Sequence, residues 1–468
     1  MNDAQPTPHP REHPPYPTDA PISAWLSSSS VQAHPSDLIR VDARAIADAR
    51  MGVIEHASLV LQRDATAVRV RYAGPTMQTP SAYTDPRIPV LTLRDQFVLP
   101  ALVNAHAHLD LTHIAPQPHT PDDGFVPWVD MIRAKRATED DHITRSVRSG
   151  IEKSLAGGVI AVGDIAGAPA GRLCDTPARI LAASPLIGVS YLEFFGIGTA
   201  TSKAVRRVCE YLDDQAPALI DQLTGSGIQL GFQPHAPNTV DLGVYRWITR
   251  AASQRGIPLC THLAETIEER MFIHDGIGPQ RAMLERFGIW DESVLEYTAK
   301  GKHPIEHLRP VLEMHPYLVA HANDCEDAGI ETLARTGASV AYCPRAAAYF
   351  HAEEHFGVHR YREMLDAGIN VCLGTDSIVN LDTPDRISTL DDMRLLHQQG
   401  DRDEHRLLAM GTRSGATALG LDPQRFTIAA DACPIGLISV PIGTTADTAS
   451  AWDLLMGSKS TPNWLYLE

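Results

Sequence analysis

His106 and His108 stand one residue apart at the end of the apolar run Phe97-Val98-Leu99-Pro100-Ala101-Leu102-Val103-Asn104-Ala105. On a β-strand, residues i and i+2 project from the same face. Both imidazoles therefore point the same way, and one divalent metal can take a nitrogen from each. Imidazole suits zinc, iron, nickel or copper. A single His-x-His pair is a weak signal, so the rest of the chain must supply further ligands and a base. Other strand-like segments end in such residues. His235 closes 228–235, His262 lies at the end of 257–263 with Glu265 just beyond, and His321 closes 317–321. Asp376 closes 370–376 within Gly374-Thr375-Asp376-Ser377. Asp164 and Glu193 lie near the ends of 159–165 and 187–195. Each residue alone has an ordinary explanation; a lone Asp before Ser, for example, is often a helix N-cap. Five histidines and an aspartate at one position on five strands are a different matter. Buried there without partners, such groups would cost ~1–3 kcal/mol each. A joint metal site accounts for them better than packing does.

The elements that must position these residues alternate. Eight apolar strand candidates run over 102–108, 159–165, 187–195, 228–235, 257–263, 317–321, 338–343 and 370–376. Helix-like segments lie between them, as at 146–156, 244–255, 328–336 and 361–367. Gly256, Gly337 and Gly368 follow three of these, as expected at helix C-termini. Eight βα alternations predict an α/β chain with a (β/α)8 TIM barrel over 99–423; an open doubly wound sheet is the alternative. Active sites of such barrels lie at the C-terminal strand ends, where these residues fall. Strand-like text at 37–98 and 424–468, best seen in Ala67-Val68-Arg69-Val70-Arg71-Tyr72 and Gly436-Leu437-Ile438-Ser439-Val440, predicts a small β-sandwich domain built from both chain ends. Residues 1–36 are rich in Pro, His and Ser and read as a disordered tail.

The chain has 468 residues, is 44% hydrophobic and carries a formal charge of -17. That charge argues against nucleic acid or an anionic membrane surface as partner. No apolar run reaches the ~18 residues of a membrane span, and no apolar leader segment is seen. The seven cysteines form no CxxC pair. They read as reduced thiols, and the expected location is cytoplasmic.

Five segments together resemble the amidohydrolase superfamily, and within it the deaminase and chlorohydrolase-like branch of cytosine, guanine and S-adenosylhomocysteine deaminases. They are Asn104-Ala105-His106-Ala107-His108-Leu109, Gln233-Pro234-His235-Ala236-Pro237, Thr261-His262-Leu263-Ala264-Glu265-Thr266, Val319-Ala320-His321-Ala322 and Leu373-Gly374-Thr375-Asp376-Ser377. The resemblance spans essentially all of 37–468. It implies that His106, His108, His262 and Asp376 bind one divalent metal, zinc or in some members iron. It implies that Glu265 shuttles a proton between the hydrolytic water and a substrate ring nitrogen. His321 would hydrogen-bond the attacking or tetrahedral oxygen, Asp376 would accept a proton, and His235 would lie in the substrate pocket. His262 and Glu265 share a face if a helical turn begins there. Binuclear members use a carbamylated lysine at the fourth strand end. His235 stands there instead, so a mononuclear site is expected.

Substrate contacts are less legible. Cys343-Pro344-Arg345-Ala346-Ala347 has alanines where related deaminases carry Ser-Asn. Arg345 could bind a carboxylate or phosphate or brace the loop. Trp128 could stack on a heteroaromatic ring or pack in the core. Glu193 could contact substrate hydroxyls, whereas Arg133 and Arg136 read as solvated. The long 267–316 segment is similar to the insertion of nucleoside-type deaminases, such as the aminodeoxyfutalosine deaminases. The expected activity is hydrolytic release of ammonia from a small aminated heterocycle or nucleoside. Hydrolysis of a cyclic amide or a halo-triazine on the same site is the alternative. A non-catalytic relative would have lost ligands, and none is missing here. Similar enzymes are frequently homodimers.

Overall fold

The computed structural model describes residues 37–64, 67–120, 123–443 and 449–468. The tail expected over 1–36 lies outside the described residues. Four strands open the chain: β1 (Leu38–Asp48), β2 (Gly52–Arg63), β3 (Val68–Pro75) and β4 (Val90–Pro100). Eight shorter ones follow: β5 (Leu102–Ala107), β6 (Val159–Ala166), β7 (Ile187–Phe194), β8 (Ile228–Pro234), β9 (Cys260–Leu263), β10 (Leu318–His321), β11 (Ser339–Tyr342) and β12 (Asn370–Leu373). β13 (Gly436–Pro441) and β14 (Asn463–Leu467) close it. All eight strands expected in the middle are present, several of them shorter than their apolar text.

The middle strands form two parallel four-stranded sheets, β5-β6-β7-β8 and β9-β10-β11-β12. The sheets meet through single bridges at both edges, Phe232 with Leu259 and Ala107 with Asp376. Every residue of β5 and β6 is buried, as parallel strands covered on both faces require. Helices cover them. In Asp140–Ala156 the buried residues Ile143, Val147, Ile151 and Leu155 recur at helical spacing, with Asp140 and Asp141 in the first turn, where the helix dipole favours negative charge. Gly256, Gly337 and Gly368 adopt φ of 64°, 67° and 82°, the left-handed region glycine reaches without a Cβ penalty.

The chain ends build one six-stranded sheet, ordered β14-β13-β4-β1-β2-β3. This corrects the expected sandwich. β13 pairs with β4 edge to edge, so the two chain ends extend one sheet and do not stack as two. One face buries Ile39, Val41, Leu59, Leu61, Val70 and Leu437. Only Ala101 separates β4 from β5, and its N–H donates to Gly436 O at 2.9 Å. The strand that carries His106 is thereby anchored in this sheet.

Backbone packing beside that strand is tight. A Cβ on Gly163 of β6 would lie 2.1 Å from Ala105 O. Gly163→Ala is therefore expected to destabilise the fold by about 1–3 kcal/mol, read as a lowered urea midpoint. An unchanged midpoint would show that β5 and β6 can separate at no cost.

Candidate active site

The two-residue spacing of β5 and the ends of β9 and β12 bring His106, His108, His262 and Asp376 together. Asp376 Oδ1 lies 4.0 Å from His106 Nε2 and 3.4 Å from His108 Nε2. His262 Nε2 is 3.4 Å from His108 Nε2. All four side chains are buried. Burial and neighbouring imidazoles or Arg136 hold His106 and His108 far below the ordinary histidine pKa and push His262 down to about 3. The rings are thus neutral, as metal ligands must be. Burial pushes Asp376 the other way, to about 7. Both nitrogens of His106 and Nδ1 of His108 lack hydrogen-bond partners within the described residues. Buried polar groups are rarely left so. The donor set fits one divalent cation, which would take one nitrogen from each imidazole and offset the carboxylate charge.

Neighbouring groups orient these side chains. His262 Nδ1 lies 3.1 Å from His235 O and 2.8 Å from the Gln233 amide. With the Gln233 amide turned so that its otherwise unpartnered oxygen faces Nδ1, both neighbours accept, Nδ1 carries the proton and Nε2 keeps its lone pair. Asn380 Nδ2 donates to Asp376 Oδ2 at 2.6 Å, leaving Oδ1 towards the histidines. The N–H groups of Thr375 and Asp376 both donate to His106 O at 3.0 Å. Asn104 holds Thr375 from the same strand, accepting from its N–H at 3.0 Å and donating to its hydroxyl at 2.8 Å.

Glu265 and His321 face this cluster. Glu265 Oε1 lies 3.4 Å from His321 Nε2. Burial and the nearby carboxylates Asp376 and Glu269 raise the Glu265 pKa well above the usual range. The helical turn expected from His262 is absent. Ala264 has φ of 54°, and the helix begins only at Ile267, capped by Thr266. Glu269 explains the difference. Its two carboxylate oxygens accept from the N–H groups of Ala264 and Glu265 at 2.9 and 2.8 Å, while its own N–H donates to Thr266 Oγ1 at 3.2 Å. The Thr266-x-x-Glu269 spacing is that of a capping box, with the carboxylate reaching further back than usual. His321 and Asp376 also have positive φ, 74° and 57°. Such non-glycine conformations cost of order 1–3 kcal/mol each and persist only where surroundings impose them.

A cavity of about 600 Å³ opens onto these residues. His108, His262, Glu265 and Asp376 line its floor; Leu111, Trp128, Ile132, Phe195, Met283 and Phe287 line much of its wall. The helix Pro279–Arg286 of the 267–316 segment contributes Met283. Trp128 stacks on Phe125, with centroids 5.5 Å apart. Glu193 and His235 reach the wall, Glu193 Oε1 standing 3.9 Å from His235 Nε2. Arg136, read as solvated from the sequence, instead reaches this wall. Its Nε lies 3.2 Å from Asp110 Oδ2 and its Nη1 3.3 Å from Glu193 Oε2. Arg133 does remain exposed, with its guanidinium over the Phe287 ring.

Arg345 is not brought to the site. It is 7% exposed, pairs with Asp392 at 2.9 Å and donates to Ser388 O and Thr383 Oγ1 at 3.0 Å each. The structure thus favours the loop-bracing alternative over an anion contact. Sequence reasoning also passed over Gln233, Glu269 and Asn380. Only Glu269 carried a readable signal, its capping-box spacing.

The amidohydrolase family model matches residues 97–429, and the chain belongs to that family. It is 25% identical over 340 residues to the 5-methylthioadenosine/S-adenosylhomocysteine deaminase of Natronomonas pharaonis, over 70% of each chain. It is 27% identical over 301 residues to the aminodeoxyfutalosine deaminase of Deinococcus radiodurans, covering 61% of this chain and 65% of that protein. Its fold is similar to that of atrazine chlorohydrolase TrzN from Arthrobacter aurescens TC1 complexed with zinc, with a TM-score of 0.63, 18% identity and coverage of 90% and 92%.

Two measurements check these placements. His106→Ala should abolish stoichiometric metal binding while the protein stays folded, as read by elemental analysis and circular dichroism. Retained metal would remove His106 from the ligand set. Arg345→Met leaves the Asp392 charge buried and should cost about 3–5 kcal/mol of stability, read by urea unfolding. Little loss would show that this pair does not brace the loop.

Proposed function

We propose that the protein is a metal-dependent hydrolytic deaminase, releasing ammonia from an aminated heterocycle or nucleoside. One observation carries this reading. Glu265, a carboxylate whose pKa is raised, sits 3.4 Å from His321 and lines the same cavity floor as the ligand cluster. The two bridges between the parallel sheets support closure of the eight strands into a (β/α)8 barrel, with this site at the C-terminal strand ends. The small sheet reads as a second domain drawn from 37–98 and 424–468.

His106, His108, His262 and Asp376 would hold the ion, and three imidazoles with one carboxylate suit zinc. When bound, a divalent ion there acidifies a water towards a pKa of about 7. Glu265 takes the proton that water loses and delivers it to the ring nitrogen or the departing amine. Burial and the neighbouring carboxylates, which raise its pKa, favour its holding that proton before passing it on. His321 Nε2, with no hydrogen-bond partner among the described residues, meets the oxygen that develops charge. Water and the amine exchange places: a C–O bond forms, the C–N bond breaks, and ammonia leaves.

Glu193 and His235 support a hydroxylated substrate. His235 Nδ1 lies 2.7 Å from Thr239 Oγ1, whose own proton goes to Ala236 O. His235 Nδ1 is then the donor, and Nε2 is left as an acceptor. Glu193 Oε1 is a second acceptor 3.9 Å away, too far for a bond between them. Two acceptors side by side suit a pair of substrate hydroxyls, and Trp128 suits the apolar remainder. A nucleoside offers both features, and a halo-triazine lacks the hydroxyls.

The test is ammonia release by zinc-loaded protein from 5′-methylthioadenosine, S-adenosylhomocysteine, adenosine and adenine. Turnover of at least one nucleoside is expected. Chloride release from a chlorinated triazine, with no ammonia from any of the four, would establish the other hydrolase. Glu265→Gln should keep the metal and lower kcat by about 10²–10⁴-fold. Near-normal turnover would remove Glu265 as the proton carrier.

A further inference from the structure

We propose that His359 is a positioning residue for His321, acting through the carbonyl of His321 to hold its ring over the reaction centre. The proposal rests on the reading above, in which His321 meets the reacting oxygen. His321 ends β10, where the chain leaves the sheet through a γ-turn. The Ala322 N–H lies 3.2 Å from Ala320 O and also donates to Leu263 O at 3.0 Å. His321 and Ala322 have φ of 74° and 50°, which a side chain other than glycine adopts only under restraint.

His359 supplies such a restraint from outside the ligand cluster. Its Nε2 lies 2.9 Å from His321 O. A carbonyl cannot donate, so Nε2–H is the donor, and the ring is fixed in that tautomer. The residue is 8% exposed. Its ring stacks on Tyr342 with centroids 3.7 Å apart at 16°. Tyr342 stacks in turn on Tyr361, whose hydroxyl donates to Asp401 at 2.6 Å. The donor is therefore held by a rigid aromatic pile between β11 and the helix Tyr361–Asp366.

The carbonyl and the imidazole of His321 leave the same Cα. Fixing the carbonyl fixes the peptide plane and, with φ, the direction of the Cα–Cβ bond. That direction sets the 3.4 Å approach of His321 Nε2 to Glu265. Without the N–H of His359, the turn loses one restraint on an unfavourable φ. The ring then swings from the point where charge develops, while the cavity wall that binds substrate stays in place.

The test uses the zinc-loaded full chain. His359→Phe keeps the ring on Tyr342 and removes the donor, His359→Leu removes donor and stack, and His359→Gln restores an amide donor. Activity is read on the nucleoside of the panel above that turns over fastest. His359→Phe and His359→Leu should lower kcat about 10–100-fold with KM and metal content unchanged, and His359→Gln should recover most of the loss. An unchanged kcat in His359→Phe, or no recovery in His359→Gln, overturns the proposal. A crystal structure of His359→Phe is the substrate-independent arm. It should show His321 with a changed φ and Nε2 displaced from Glu265; an unmoved His321 overturns the proposal. If no compound of the panel is deaminated, the deaminase reading fails by itself, and that crystal structure decides the role of His359.

Discussion

Four buried donors from three strands, His106, His108, His262 and Asp376, turn to one point. That convergence constrains the rest of the molecule. Burial strips the imidazoles of charge and pushes Asp376 to about 7. Without a cation the centre would be a store of unpaired polar atoms, each costly in a dry interior. With one, the same dryness becomes useful, because electrostatic interactions are stronger where water is excluded. The strand ends bear the geometric consequences. A β-strand that simply continued could not aim Asp376 or His321 inwards, so both residues take positive φ. Neighbouring hydrogen bonds to His106 O, Leu263 O and Asp376 Oδ2 hold the bends.

In the proposed reading, chemical and binding tasks are separated across the cavity. Glu265 lies on its floor with His108, His262 and Asp376. Groups that can read a substrate lie on its wall, where Arg136 sits between Asp110 and Glu193. Buried ion pairs contribute little net stability, and losing one partner is costly. The value of this trio lies in orientation. Arg136 takes Glu193 Oε2 and leaves Oε1 towards His235. The apolar remainder of the wall comes largely from Phe125–Lys135 and Pro279–Arg286, elements outside the eight strands. Substrate choice can therefore vary with those elements while the floor stays constant.

The strands and the clustering of His106, His108, His262 and Asp376 were legible because each rests on local pattern. Apolar runs of four to eight residues bounded by turns read as buried strands, and His106-x-His108 shares a face by the pleat alone. The small sheet was legible in its strands and not in its layering. Alternation reports which residues face a core, but not whether two groups of strands stack or extend one another. The turn at Glu265 stayed open in the sequence because His-x-x-Glu spacing fits a helix equally well. What decides against it is the Glu269 carboxylate on two backbone N–H groups, a contact no periodicity reveals.

The arginines show where local pattern stops. Arg136 follows Arg133 and Lys135 at the end of the helix Phe125–Lys135, and Arg345 stands alone just after β11, but neither setting names the arginine's partners. An arginine can be buried only where carboxylates or carbonyls meet its guanidinium. For Arg136 those partners are Asp110, 26 positions earlier, and Glu193, 57 positions later. For Arg345 the partner is Asp392 on the helix Thr389–Gln398. The first set of partners meets at the cavity because β5, β6 and β7 are sheet neighbours, and the second meets behind the Cys343-Pro344 turn. Sheet order decides which arginine faces the cavity, and sheet order is a property of the assembled strands that neither arginine's own segment carries.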